Sequence, residues 1–172
     1  MKILVFSDSH GGPAYIRAAL NAHRGDTDAV YFLGDGIRDM EELMQVYPGL
    51  PFIVTAGNCD SAVAVAASGI AAEAEDVRTL DGVKILALHG HTVDVKFSYD
   101  RLLYRATEVG ADLVLFGHTH IQENRSENAV FGTARRIHLF NPGSIGTGFL
   151  QSYGVIYVIG GRISADHGRA VL

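Results

Sequence analysis

The sequence has 172 residues, 48% of them hydrophobic, and a formal net charge of -5 at pH 7. A chain of this length is expected to fold as one domain, residues 1–172, and to bury on the order of 70% of its unfolded surface. The acidic balance and the absence of any basic cluster longer than Arg135-Arg136 argue against stable binding to nucleic acid through its phosphates. Nucleic acid stays open as a substrate.

The chain shows no sign of export or membrane insertion. Its single cysteine, Cys59, excludes an internal disulfide. The first six residues indicate a strand rather than the start of a signal peptide, and no apolar run approaches the roughly 20 residues needed to span a bilayer. We therefore expect a cytoplasmic protein without a membrane partner.

The first half of the chain alternates strands with helices. Apolar runs and helical spacing of apolar residues predict strands over 2–6, 29–33 and 52–55 and helices over 13–23 and 37–47. This alternation implies right-handed crossovers and a largely parallel sheet. The stretch 60–72, rich in Ala, Ser and Gly, fits either a short helix or a flap, and the sequence does not decide between them.

The second half adds strands that belong to a second sheet. Asp81-Gly82 separates the runs 76–80 and 83–88 and is a strong signal for a short hairpin. After a helix predicted over 98–110, only strands and turns follow, at 112–116, 121–126, 136–140 and in a closing hairpin of 153–159 with 162–167. The pattern predicts two sheets face to face, with the helices outside.

Side chains that can bind metal recur at the ends of successive apolar strands. They are Asp8, His10, Asp35, Asn58, His89, His91, His118 and His120. Because the carboxyl ends of parallel strands border one crevice, these groups can converge although they lie far apart in sequence. Flanking glycines let the chain turn tightly and let the backbone approach an ion or a phosphate closely.

The donor types indicate the metal and the reaction. Carboxylate, carboxamide and imidazole suit Mn²⁺, Fe²⁺, Ni²⁺ or Zn²⁺, and fit a calcium cage or a Cys-rich structural zinc site poorly. All of these groups except His91 are expected to be ligands, and seven ligands are too many for one ion. Two ions roughly 3.5 to 4 Å apart, sharing a carboxylate, can clamp the attacking and leaving oxygens of a displacement at phosphorus.

The motifs, taken in order, resemble those of the calcineurin-like metallophosphoesterases, and among them the small YfcE-like phosphodiesterases. The matching segments are Asp8-Ser9-His10, Gly34-Asp35, Gly57-Asn58-Cys59-Asp60, His89-Gly90-His91, Gly117-His118-Thr119-His120 and Asn141-Pro142-Gly143-Ser144. The resemblance implies a four-layer αββα sandwich of two mixed sheets with helices outside.

The same resemblance implies a dinuclear centre, with Mn²⁺ as the first choice of metal. Asp8, His10 and His120 would hold one ion. Asn58, His89 and His118 would hold the other. Asp35 would bridge them together with a hydroxide that attacks phosphorus directly, so that Asp35 and Asn58 serve both as ligands and in catalysis.

Cys59 occupies a position where the wider superfamily carries a histidine that stabilises or protonates the leaving oxygen. The YfcE-like branch also has cysteine there. Two nearby cations are expected to lower the pKa of the thiol, which makes it a poor acid, and His91 is then the candidate proton donor. Alternatively, His91 only hydrogen-bonds a carbonyl or a substrate phosphate, and Cys59 is inert. Asp60 is expected to orient its loop.

Two further functions compete with a phosphodiesterase. The same fold serves as a non-catalytic scaffold for partner proteins in the retromer subunit that resembles this branch, although there the ligand positions are partly altered. Within enzymes, a phosphomonoesterase or pyrophosphohydrolase would differ at the rim of the pocket, where Lys96, Arg101, Arg125, Arg135 and Arg136 are candidates to contact charge. The family favours a small phosphodiester as substrate and leaves room for a homo-oligomer.

Overall fold

Two mixed β-sheets with helices on their outer faces form the structure, a computed structural model that describes residues 1–130 and 135–172. The strands are β1 (Lys2–Phe6), β2 (Ala29–Phe32), β3 (Phe52–Thr55), β4 (Ala72–Glu73), β5 (Glu75–Leu80), β6 (Val83–Leu88), β7 (Leu113–Phe116), β8 (Gln122–Asn128), β9 (Arg136–Pro142), β10 (Ser152–Ile159) and β11 (Arg162–Arg169). The α-helices are α1 (Pro13–Ala22), α2 (Ile37–Val46), α3 (Ala62–Ser68) and α4 (Asp100–Val109).

The strand order brings the strand-end motifs to one side of the molecule. The first sheet has the order β11-β10-β1-β2-β3-β4 and the second β5-β6-β7-β9-β8. β1, β2, β3 and β4 run parallel, as do β6, β7 and β9, whereas β10 pairs antiparallel with β1 and β11 pairs antiparallel with β10. Parallel strands end at the same edge, so the loops that follow them lie side by side.

Three clusters of apolar side chains fill the spaces between neighbouring layers. Between the sheets, Ile3 and Val5 pack with inward residues of β6 and β7 such as Ile85 and Leu115. The outer face of β1 packs on α1 and α2, and the outer faces of β6 and β7 pack on α4. All five residues of β1 are therefore buried, which explains why this strand appears in the sequence as a continuous apolar run.

The predicted elements are confirmed, and the open stretch is settled. Residues 60–72 contain the short helix α3, whose N-terminus is capped by Ser61 accepting a hydrogen bond from the Ala64 N–H. β4 follows and was not predicted, because two residues give no period to detect. The four-layer αββα sandwich inferred from the resemblance is the observed architecture. None of the helices in the described residues is long and apolar enough to cross a membrane.

The packing between the two sheets leaves no space for a side chain at Gly154. A Cβ added at this residue would lie 2.4 Å from Phe140 Cε1 and 3.1 Å from Val5 Cβ, and both side chains are fully buried. Because the ring has no free space to move into, we expect Gly154→Ala to lower the free energy of unfolding by about 1–3 kcal/mol in chemical denaturation. Gly49→Ala is the control, since nothing lies within 4 Å of its added Cβ. Equal stability of the two variants would contradict this account.

Candidate metal centre

Backbone hydrogen bonds tie the strand-end loops of both sheets together. Within the first sheet, the Asp8 N–H donates to Gly34 O at 3.0 Å and the His10 N–H donates to Asp35 O at 3.1 Å. In the second, the Gly117 N–H donates to His89 O at 2.9 Å. The candidate ligands thus sit on loops that hold one another in place.

Most of the candidate ligands adopt a backbone conformation that side chains rarely take. Within the described residues, seven non-glycine residues have a positive φ, and five of these are candidate ligands. The five are Asp8, His10, Asp35, His118 and His120, with φ between 45° and 66°. Strain of this kind persists only where the surroundings enforce it and concentrates at functional sites. It marks the tight turns that aim the side chains at one point.

One group of donors surrounds the Asp8 carboxylate. Asp8 is fully buried, and its Oδ2 accepts hydrogen bonds from the Ser7 hydroxyl at 2.6 Å and the His118 N–H at 3.1 Å. Its Oδ1 has no hydrogen-bond partner within residues 1–130 and 135–172 and lies 3.1 Å from His120 Nε2 and 3.8 Å from His10 Nε2. These three side chains could hold a metal ion between them.

A second group surrounds His89. The His89 Nδ1 lies 2.6 Å from Leu33 O; a carbonyl oxygen only accepts, so Nδ1 carries a proton and Nε2 is the nitrogen left to bind a metal ion. That Nε2 atom lies 3.1 Å from Asn58 Oδ1 and 3.2 Å from His118 Nδ1. Asp35 completes this group and also borders the first.

Asp35 Oδ2 lies between the two groups. It is 3.4 Å from His89 Nε2 and 3.9 Å from His10 Nε2, while Oδ1 accepts a hydrogen bond from the Cys59 N–H at 2.7 Å. Burial alone would raise the pKa of Asp35, but the hydrogen bonds with His89 and the Cys59 N–H outweigh it and hold the pKa well below its ordinary value. The carboxylate is therefore ionised and faces histidines of both groups.

The donor set fits divalent ions. Desolvation, the neighbouring His89 and the Lys96 ammonium lower the pKa of His118 to about 4, so this imidazole is neutral near pH 7 and has a free lone pair. Lone pairs of oxygen and nitrogen that face one another at 3–4 Å repel unless a cation lies between them. The buried Asp8 Oδ1, without a partner among the described residues, is the clearest such atom.

Asp60 holds the loops from behind, as expected. Its two carboxylate oxygens accept four backbone N–H groups at 2.7–2.9 Å, from Asp35, Gly36, Ile37 and Gly57. One side chain thus joins the loop that carries Asp35 to the loop that carries Asn58.

Residues 141–147 support the other side of the centre. The Asn141 Nδ2 donates to Gly117 O at 2.9 Å and to Thr119 Oγ1 at 3.1 Å, and the Ser144 hydroxyl donates to Asp8 O at 2.8 Å. Thr147 Oγ1 lies 3.2 Å from His120 Nδ1, a contact that sequence reasoning missed. Its only signal is the position of Thr147 shortly after the Asn141–Ser144 motif.

Cys59 and His91 lie beside the donors, and their catalytic roles stay predictions. In the absence of metal ions, loss of solvent around the sulfur and a hydrogen bond with Asp35 raise the pKa of the Cys59 thiol to about 11. The lower thiol pKa expected from the sequence therefore requires bound metal. The His91 ring centroid is 5.3 Å from that of His89. Desolvation and His89 lower the pKa of His91.

The structure separates the five candidate rim cations. Lys96 and Arg125 line an open groove beside the centre, together with Thr119. Arg101 pairs with Asp94, Arg135 pairs with Asp112, and Arg136 donates to Ser126 O. Arg125 also lies beside two carboxylates, with Glu127 3.2 Å and Glu123 3.7 Å from its Nε. Of these five residues, Lys96 is therefore the one placed to offer its charge to a substrate.

Comparison with known proteins identifies relatives of this site and fold. The model of the calcineurin-like phosphoesterase superfamily domain matches residues 1–159. The probable metallophosphoesterase YsnB of Bacillus subtilis is 33% identical over 148 residues, which cover 84% of this chain and 75% of that protein.

Two solved structures of lower identity share the fold. A novel archaeal phosphodiesterase superposes with a TM-score of 0.71 at 20% identity, covering 97% of this chain and 99% of that one. Wild-type Vps29 of Entamoeba histolytica in complex with Zn²⁺ gives a TM-score of 0.70 at 15% identity, covering 98% and 99%. Similarity at this level concerns the fold alone.

A substitution at Asp60 tests whether its hydrogen bonds to the loops of Asp35 and Asn58 support metal binding. Asp60→Asn replaces an oxygen that accepts two N–H groups with a donor, so the loops of Asp35 and Asn58 should loosen. We expect the affinity for Mn²⁺, measured by isothermal titration, to fall by about 10- to 100-fold. Asp166→Asn, on the exposed face of β11, is the matched control and should leave the affinity unchanged. An unchanged affinity in Asp60→Asn would show that the loops hold the donors without it.

Proposed function

Because the chain belongs to the calcineurin-like phosphoesterase superfamily, we propose that it is a metal-dependent phosphodiesterase. The observation that carries this proposal is the convergence of seven donor residues, from the ends of strands in both sheets, into two adjoining groups, one around the Asp8 carboxylate and one around His89. Family membership supports hydrolysis of phosphate esters, and the donor set supports two ions, of which Mn²⁺ is our first choice.

The donors divide the work of holding two ions. Asp8, His10 and His120 would hold one, and Asn58, His89 and His118 would hold the other, with Asp35 shared. A pair of divalent ions held there supplies Lewis acidity toward the phosphoryl oxygens and makes hydroxide available near neutral pH. The protein keeps the donors fixed through Asp60, the His89–Leu33 hydrogen bond and the Asn141 amide, so little reorganisation accompanies the reaction.

The surroundings of the centre favour a diester over a monoester. A monoester dianion presents more charge than a diester monoanion, and the rim cations beside the centre are few. The open groove next to Thr119 leaves room for an organic group on the phosphate. The archaeal phosphodiesterase of the same fold supports this choice.

A scaffold for partner proteins is the second candidate, favoured by the likeness to Vps29. Vps29 also binds Zn²⁺, so metal binding alone does not distinguish an enzyme from a scaffold. Hydrolysis of a phosphate ester distinguishes them. The cytoplasmic location, the single domain of residues 1–172 and the absence of stable nucleic-acid binding stay predictions.

The proposal is tested by hydrolysis of bis(p-nitrophenyl) phosphate and p-nitrophenyl phosphate with metal-stripped protein, before and after addition of Mn²⁺. We expect Mn²⁺-dependent cleavage, faster for the diester. Asp35→Asn should lower kcat by more than about 100-fold, because losing a shared ligand costs more than losing an outer partner. Asp166→Asn serves as control. Bound metal without hydrolysis of either ester, together with a stable protein partner, would favour the scaffold instead.

Cys59 generates a second prediction about the leaving group. A thiol is a weaker acid than an imidazolium, so reactions that need a proton on the leaving oxygen should be slow. Along a series of methyl aryl phosphates, log kcat should fall steeply as the pKa of the leaving phenol rises. Cys59→His should flatten this slope and raise the rate on the poorest leaving group by about 10-fold or more. Cys59→Ser is the control of similar size without the ring. If log kcat depends equally on the leaving-group pKa in the wild type and in Cys59→His, this account of Cys59 is wrong.

A further inference from the structure

An open groove lies beside the candidate metal centre. It has a volume of about 620 Å³ and is lined by Lys96, Phe97, Tyr99, Thr119, Ile121 and Arg125, among others. Thr119 is the residue between the candidate ligands His118 and His120, so the groove borders the loop that carries both of them. Its volume falls within the roughly 300–1,000 Å³ of small-molecule sites.

Part of the groove wall consists of exposed apolar side chains on loops that are anchored by hydrogen bonds. Phe97 is 91% exposed and Ile121 70% exposed. The Phe97 loop is anchored because Val95 is buried and the Phe97 N–H donates to Asp94 O at 2.9 Å. The Ile121 N–H donates to Thr119 Oγ1 at 3.2 Å. A large aromatic side chain held open to water on an anchored loop is placed to contact a ligand.

Two basic side chains line the groove, and one of them is paired. Arg125 stacks over the Tyr99 ring at 5.1 Å from its centroid, and Glu127 and Glu123 lie 3.2 Å and 3.7 Å from its Nε. Lys96 is exposed and lines the same groove as Thr119. The groove thus offers the Lys96 ammonium to a phosphate, together with the exposed apolar side chains of Phe97 and Ile121.

We propose that this groove binds a planar, uncharged aromatic group attached to the scissile phosphate, with a nucleobase as its biological form. The ring lies against Phe97 and Ile121 while Lys96 contacts the phosphate. This inference rests on the proposed function, since it takes the phosphate to be at the metal centre. It narrows the substrate to phosphodiesters that carry a nucleoside or a similar aromatic group.

The test compares AMP with ribose 5-phosphate, which share the sugar and the phosphate and differ in the base. Binding of each to the Mn²⁺-loaded full chain is measured by isothermal titration, a readout that does not require turnover. Stacking of a base on an aromatic side chain predicts about 5- to 150-fold tighter binding of AMP. Phe97→Ala should remove this difference, and Phe97→Tyr should retain it.

Phe149 supplies the matched control. It is fully exposed and lines a neighbouring pocket together with His120, Thr147 and Leu150, but it does not line the groove of Phe97. Phe149→Ala should leave the preference for AMP unchanged. The inference is overturned if AMP and ribose 5-phosphate bind equally, if neither binds, or if Phe149→Ala rather than Phe97→Ala removes the preference. Loss of the base effect with intact diester hydrolysis overturns this inference alone, whereas bound metal without hydrolysis overturns the proposed function.

Discussion

The donors can converge only because the loops that carry them lie in direct backbone contact. A Cβ at Gly34 would lie 2.5 Å from the Gly57 nitrogen, and one at Gly146 would lie 1.7 Å from Ser9 O. No side chain fits at either place, so the spacing of the loops is set by the backbone itself. The Asp60 carboxylate then fixes the contact through its four N–H partners. The donor distances of 3–4 Å in the centre follow from this arrangement.

In the absence of metal ions, the buried carboxylates of this site lower the stability of the folded chain. Asp8 and Asp35 are buried at 0% and 3% exposure, and a buried carboxylate destabilises the fold unless it is hydrogen-bonded or paired. Here the hydrogen bonds satisfy one oxygen of each and leave the other facing the centre. The three apolar clusters, which lie between and outside the sheets, stabilise the fold enough to tolerate this arrangement, so stability and function are supplied by different parts of the sequence.

The sequence predicted those features that depend on local pattern. All strands except β4, the two hairpins and the placement of Asp8, Asp35, Asn58 and His118 at strand ends were predicted from the patterns of apolar and polar residues. The sequence could not predict which rim cations face the centre, because Arg135 and Lys96 look alike until the fold pairs Arg135 with Asp112. Nor does it indicate a role for His167, whose Nε2 lies 2.7 Å from Asn141 O and so supports the loop beside the centre. Contacts between residues so far apart leave no periodic signal in a single chain.

A shared fold does not by itself fix a function, so the choice among phosphate esters has to be argued from the charges around the centre. A pyrophosphate or polyphosphate would place a second anion in the groove, where it needs a free cation. Arg125 does not provide one, because Glu123 and Glu127 lie beside its guanidinium, and any added anion would face those carboxylates. The diester that we propose as substrate would bring a single negative charge to Lys96 and leave its organic group neutral. The charges at the rim therefore support the proposed diester over a substrate with extra phosphates.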